Sequence, residues 1–137
     1  APKELMNEIL KVHQYNVFSV NHPLQLAIAK YMNKQGYENL SDRFQAKRDL
    51  FLSHLDKNKF DVAPSEGTYF QLLDMSAFMR QDEDDVAFAK RLTIENKIAG
   101  VPISVFYHNS PDTKYLRFCF AKEEETIIKA CEALNAL

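Results

Sequence analysis

A change of period near residue 57 governs what this chain can fold into. Before it, apolar side chains recur at helical spacing; after it, they come in short alternating runs separated by turn residues. Residues 3–17 set Leu5, Ile9 and Val12 on one face, with Met6 and Leu10 beside them, which is the stripe of an amphipathic helix. Pro23 lacks an amide hydrogen and suits the first turn of a helix. A second helix is therefore predicted from there, carried by Leu24, Ala27, Ile28, Tyr31 and Met32 and stopped at Gly36. A third, with Leu40, Phe44, Phe51 and Leu55 as its stripe, runs to about Lys57.

Beyond the change, residues 60–62 and 69–73 predict two strands joined by the turn Pro64-Ser65-Glu66-Gly67. The acidic run 82–85 precedes Val86, Phe88, Ala89 and Leu92, and acids stabilise a helix N-terminus. It reads as a helix start rather than a metal site. Residues 98–106, broken by Pro102, read as extended, residues 108–114 as a polar loop, and residues 115–121 as the strongest strand. A last helix from about Glu123 carries Ile127, Cys131 and Leu134 on one face. This order predicts an α/β or α+β unit on a helical arm, its small sheet covered by the two later helices.

Composition narrows the function classes. The 137 residues, 46% hydrophobic, suffice for one well-packed core. With 17 lysines and arginines against 19 acids, the net charge of −2 argues against a nucleic-acid or anionic-membrane partner. No apolar run approaches the ~20 residues of a membrane span. Cys119 and Cys131 lack a ligand or CxxC spacing, which fits a reducing, cytoplasmic setting and no metal. The histidines (His13, His22, His54, His108) fall on separate elements. There is no GxSxG, HExxH or phosphate-cradling glycine loop, so those catalytic classes lose their support. The opening Ala1-Pro2-Lys3 reads as the start of a piece of a longer protein.

Arg117 is the feature that points to chemistry. In Tyr115-Leu116-Arg117-Phe118-Cys119-Phe120-Ala121, alternation sends Leu116, Phe118 and Phe120 to one face and Arg117 to the other. A permanent cation among apolar neighbours needs a carboxylate, and its planar fork suits bidentate recognition of one. Three readings follow from the residues: a pair with an acid of this chain, an edge-strand side chain in water, or a ligand's carboxylate. Gly67, opening Glu66-Gly67-Thr68-Tyr69-Phe70, permits a positive φ or a close backbone approach.

Five segments in order carry a family likeness: Lys11-Val12-His13-Gln14-Tyr15, residues 18–25, Glu66-Gly67-Thr68-Tyr69-Phe70, Val101-Pro102-Ile103-Ser104-Val105-Phe106-Tyr107, and Leu116-Arg117-Phe118-Cys119-Phe120-Ala121-Lys122. Across essentially its whole length the chain resembles the C-terminal part of a class I/II pyridoxal-phosphate aminotransferase of fold type I, within the methionine and kynurenine aminotransferase (glutamine transaminase K) group.

The resemblance implies an enzyme moving an amino group between an amino acid and a 2-oxo acid, with Arg117 gripping the substrate α-carboxylate. It implies Tyr69 or Phe70 near the substrate side chain, and the loop of Phe18 and Ser19 reaching the other subunit's active site in a homodimer. It assigns residues 1–20 to the end of the large domain, 21–57 to connecting helices and 58–137 to the small substrate-binding domain. Pyridoxal phosphate is the implied coenzyme, but no lysine here matches the family's Schiff-base segment. No catalytic residue is therefore expected in these 137 residues, and the chain alone is expected to be inactive. Ser19 stands where relatives carry a larger polar side chain. Lys97 stands where they often have a helix-ending glycine, with Asn96 expected to take the left-handed position. The alternative is a non-catalytic α+β module binding a small carboxylate or a protein partner through the same arginine.

Overall fold

The computed structural model describes residues 1–34 and 39–137, which form two compact units, 1–39 and 40–137. In the first, α1 (Lys3–Asn16) and α2 (His22–Met32) occupy the two expected helical stretches. The α2 helix begins one residue before Pro23, because the Asn21 side chain accepts the Leu24 amide (3.1 Å) and caps it there. Proline is harmless in that first turn, whose amides have no helical partner. Neither helix buries a residue, so the stripe of Leu5, Ile9 and Val12 is exposed. The expected stop at Gly36 lies outside the described residues.

The second unit is built on a three-stranded antiparallel sheet of order β1-β3-β2: β1 Phe70–Asp74, β2 Val101–Pro102 and β3 Tyr115–Cys119. The central strand is the one whose alternation is strongest. Its Leu116 and Phe118 are buried on one side, where α3 (Leu40–His54), α4 (Asp85–Asn96) and α5 (Glu124–Asn135) complete the core. The α3 helix contributes Phe51 and Leu55, α4 contributes Phe88, Ala89 and Leu92, and α5 contributes Ile127, Cys131 and Leu134. Three helices therefore cover the sheet unit's core, not the last two alone. Burial pushes the Cys131 thiol up to about 11, as expected for an inert core cysteine.

Several local expectations are corrected. The α3 helix stops at His54, not near Lys57, because Asn135 of α5 reaches across to its end: its Nδ2 donates to His54 O (2.8 Å) and its Oδ1 accepts from Asp56 N (2.9 Å). Residues 60–62 form no strand. That segment is held by the buried Gln71 amide, which donates to Ala63 O (2.9 Å) and accepts from Ser65 N (3.0 Å), so a side chain replaces a ladder. Only Val101–Pro102 of the expected stretch 98–106 is strand; Pro102 has no amide to extend the ladder, and the chain turns into a 3-10 helix at Ser104–Phe106. At the end of α4, Lys97 itself takes the left-handed conformation (φ 61°), rather than Asn96. Tight packing occurs at Gly100, where an added Cβ would lie 3.0 Å from the side chains of Leu116 and Phe118.

The acidic run does start α4. Asp84 caps it by accepting from Ala87 N (2.7 Å). Glu83 instead forms a fork with Arg91, through Nε (2.8 Å) and Nη2 (2.7 Å), while Arg91 also donates to Phe78 O (3.0 Å). These bonds hold the segment before α4 onto the helix. The Arg91 hydrogen bond holds the Glu83 carboxyl down at about 2, from an ordinary 4.5. Its stabilising effect is therefore complete above pH 4.5 and is lost as pH falls toward 2. Urea unfolding between pH 7 and 2.5 should show stability falling across that window. Arg91→Ala should cost about 3 kcal/mol at pH 7, because it strands a mostly buried carboxylate, and should flatten that part of the profile.

Candidate functional site

The face of the sheet opposite the core is open. Alternation places Phe70, Leu72 and Asp74 of β1 and Tyr115, Arg117 and Cys119 of β3 on it, with Val101 of β2 paired beside Arg117. Arg117 is registered against Leu72 on one side and Val101 on the other, both exposed, while Leu116 and Phe118 on either side of it in the strand point to the core. The sheet thus delivers one half-buried cation to the middle of a largely apolar face that carries Asp74 at its end.

Two phenyl rings hold it there. The Arg117 guanidinium carbon lies 4.6 Å from the Phe70 ring centre and 5.0 Å from that of Phe106, on the 3-10 turn after β2. Each contact contributes about 0.5–1 kcal/mol and restricts the side chain's rotamers without occupying its in-plane N–H donors. Among the described residues, Arg48, Arg80 and Arg91 each have a carboxylate partner, whereas Arg117 has none within 4 Å. Of the three readings open at the sequence level, an internal ion pair is therefore not the one found among the described residues, and β3 is central rather than an edge strand.

Phe70 joins Arg117 on the open face. Tyr69 meets Phe70 edge-on, with ring centres 5.6 Å apart, and precedes the strand. Phe18 and Ser19 belong to the other unit, in the turn between α1 and α2, with Phe18 88% exposed. Phe106 is not a site residue on a sequence reading, because residues 98–106 read as one extended run; Pro102, two residues before the turn, is the available signal.

Gly67 requires neither a left-handed φ nor a close neighbour: nothing lies within 4 Å of where its Cβ would be. The unusual backbone falls on Thr68 instead, at φ 70°, where a β-branched side chain is strained. Its hydroxyl donates to Phe70 O (3.2 Å) and accepts from Phe70 N (3.4 Å), tying the strained residue to the start of β1. A cleft of about 620 Å³ runs beside this segment, bordered by Asp61, Glu66, Thr68, Phe70, Leu72 and Tyr115. Arg117 does not line it.

Beneath the open face, Asp85 is 2% exposed, and its carboxylate accepts from Ser104 N (2.8 Å), Ser104 Oγ (2.6 Å) and Thr113 Oγ1 (3.3 Å). Burial pushes its pKa up, but these hydrogen bonds outweigh that and leave it below the ordinary range. No sequence motif marked this network, since Asp85 read only as a helix-start acid.

The described residues hold no cluster of ligands for a metal ion. Lys114, adjacent to the central strand, donates its ammonium to Glu83 O and Asp112 Oδ1 (both 2.9 Å). The face offers a guanidinium bordered by aromatic rings. Its in-plane N–H donors have the geometry to pair with a carboxylate.

The model of aminotransferase class I and II matches residues 1–134. The chain is 42% identical to the methionine aminotransferase of Escherichia coli K12, over 100% of this chain and 36% of that protein. It is 30% identical to a kynurenine–oxoglutarate transaminase of Dictyostelium discoideum, again over 100% and 36%. Among solved structures, the Escherichia coli methionine aminotransferase superposes with a TM-score of 0.80, covering 100% of this chain and 36% of the other. The N-succinyldiaminopimelate aminotransferase of Mycobacterium tuberculosis gives 0.74 at 27% identity, covering 99% and 36%. The chain thus spans about a third of the length of the relatives it matches.

The strain at Thr68 is open to measurement. Thr68→Gly should raise stability by about 0.5–1 kcal/mol, after loss of the two hydroxyl bonds, read as a shifted urea midpoint at unchanged slope.

Proposed function

The chain belongs to the class I and II aminotransferases, and we propose that it is the substrate-gripping part of an enzyme moving an amino group between an amino acid and a 2-oxo acid. The observation that carries this reading is Arg117, stacked on Phe70 and Phe106 with no carboxylate partner among the described residues. A fork so held binds an incoming carboxylate through two parallel N–H···O bonds, strengthened by the apolar surroundings. Amino acid and 2-oxo acid share that carboxylate, so one anchor serves both halves of the exchange. Fixing it also fixes where the substrate's Cα lies, which is the positional requirement of the reaction.

Pyridoxal phosphate supplies the electron sink in this reading, held by residues other than these 137. Residues 58–137 act as the small substrate-binding domain, 21–57 as connecting helices and 1–20 as the end of a large domain. Tyr69 and Phe70 border the substrate side chain. Phe18 and Ser19 reach the neighbouring site in a homodimer; the exposure of Phe18 supports a role away from the core of its own unit. The relative named a methionine aminotransferase makes a methionine-like substrate the first choice, with glutamine and aromatic amino acids next. Both cysteines are free, which supports a cytoplasmic setting.

In the full-length enzyme, Arg117→Ala should lower kcat/KM for the amino acid about 100-fold, a loss of about 2.7 kcal/mol. Most of it should appear in KM. Arg117→Lys should restore only part, because an ammonium cannot reproduce the fork. Unchanged kinetics would remove the assignment. Separately, the 137-residue chain incubated with pyridoxal phosphate and reduced with borohydride should show no single stoichiometrically modified lysine by mass spectrometry. One uniquely modified lysine would put the coenzyme on this chain.

A further inference from the structure

The Asp85 network is more costly than packing requires. A buried carboxylate with no cation among its described partners is expensive, and an apolar or neutral side chain would fill a structural position with less penalty. Its acceptor capacity is directed at the two ends of one loop. It takes both the backbone N–H and the hydroxyl of Ser104, at the first residue of the 3-10 turn, and the hydroxyl of Thr113, just before the central strand. The loop between β2 and β3 is thereby pinned at both ends. Two residues beyond Ser104 stands Phe106, 59% exposed and touching the Arg117 guanidinium. A ring that exposed is not held by the core, so its place depends on the turn that carries it. The first turn of α4 supplies the compensating field, since Asp85 is the first residue of that helix and meets its positive end.

We propose that Asp85 is a positioning residue for carboxylate recognition: by clamping Ser104 and Thr113 it fixes the 3-10 turn, and with it the Phe106 ring that sets the orientation of the Arg117 fork. This rests on the reading of Arg117 as the carboxylate anchor. Asp85 touches neither substrate nor reacting atoms in this scheme. It acts through the turn, so its loss loosens the fork without removing a charge from the site.

The test uses the full-length enzyme and compares methionine with its decarboxylated amine, which has the same side chain and no carboxylate for the fork to hold. Asp85→Ala should lower the ratio of the two kcat/KM values at least tenfold, mainly through KM for methionine. Phe106→Ala should do the same, and the double variant should be no worse than the poorer single one, because both act through one ring. Ser104→Ala, which removes only the 2.6 Å bond, keeps the test open if Asp85→Ala does not fold, and should give a smaller shift of the same sign. A general structural role would depress both substrates alike and leave the ratio fixed, which overturns the proposal. The anchor reading is judged by Arg117→Ala in the same assay. If that variant leaves the ratio unchanged, the anchor fails; if it collapses the ratio while Asp85→Ala, or Ser104→Ala in its stead, does not, the positioning role alone fails.

Discussion

The stacking of the Arg117 guanidinium on Phe70 and Phe106 organises the open face of this molecule, because aromatic rings can immobilise a cation without neutralising it. Arg91 shows the other solution within the same unit. Its fork is filled by Glu83, it touches the Phe88 ring at 4.9 Å, and it serves to tie a loop to a helix. The two arginines differ in what lies in the plane of the guanidinium: a carboxylate of the chain in one case and none among the described residues in the other. The first arrangement uses its hydrogen-bonding capacity for stability, whereas the second leaves its in-plane donors without a carboxylate among the described residues.

That arrangement depends on a sheet with two unlike faces. Leu73, Leu116 and Phe118 bury one side against α3, α4 and α5, and the period of two then presents Phe70, Leu72 and Arg117 on the other. Register is fixed on both edges, by β1 through the Phe70–Cys119 pairing and by β2 through Val101 opposite Arg117. Just before β2, Gly100 leaves room for the side chains of Leu116 and Phe118, which an added Cβ would meet at 3.0 Å. A slip of one residue in β3 would carry the guanidinium into the core and Leu116 into water. The core therefore sets the position of the cation as firmly as the rings set its angle.

Much of this was legible in the residues. The strong periodicities of α1, α2, α3 and α5 and of the central strand translated directly into elements, and the acidic run did begin α4. What could not be read was structure made by side chains reaching across the fold. Gln71 holding the segment before β1, Asn135 closing the end of α3, and Asp85 clamping Ser104 all rest on side-chain contacts outside any helical turn or ladder, the latter two between residues 81 and 19 apart in sequence. Periodicity carries no trace of such contacts. Around Arg117, alternation gave the face correctly, but Phe106 arrived through a turn that an extended reading of residues 98–106 had no means to show. The choice among the arginine's possible partners needed three dimensions as well.

One consequence concerns the two thiols. Cys119 is exposed on the same face as Arg117, two residues along the strand and hence about 7 Å away, while Cys131 is fully enclosed with its thiol donating to Phe51 O at 3.4 Å. The molecule consequently carries a natural attachment point beside its cation and a second sulfur too sheltered to compete for a maleimide dye. A small environment-sensitive fluorophore coupled at Cys119 would report changes in the surroundings of the guanidinium without any engineered cysteine.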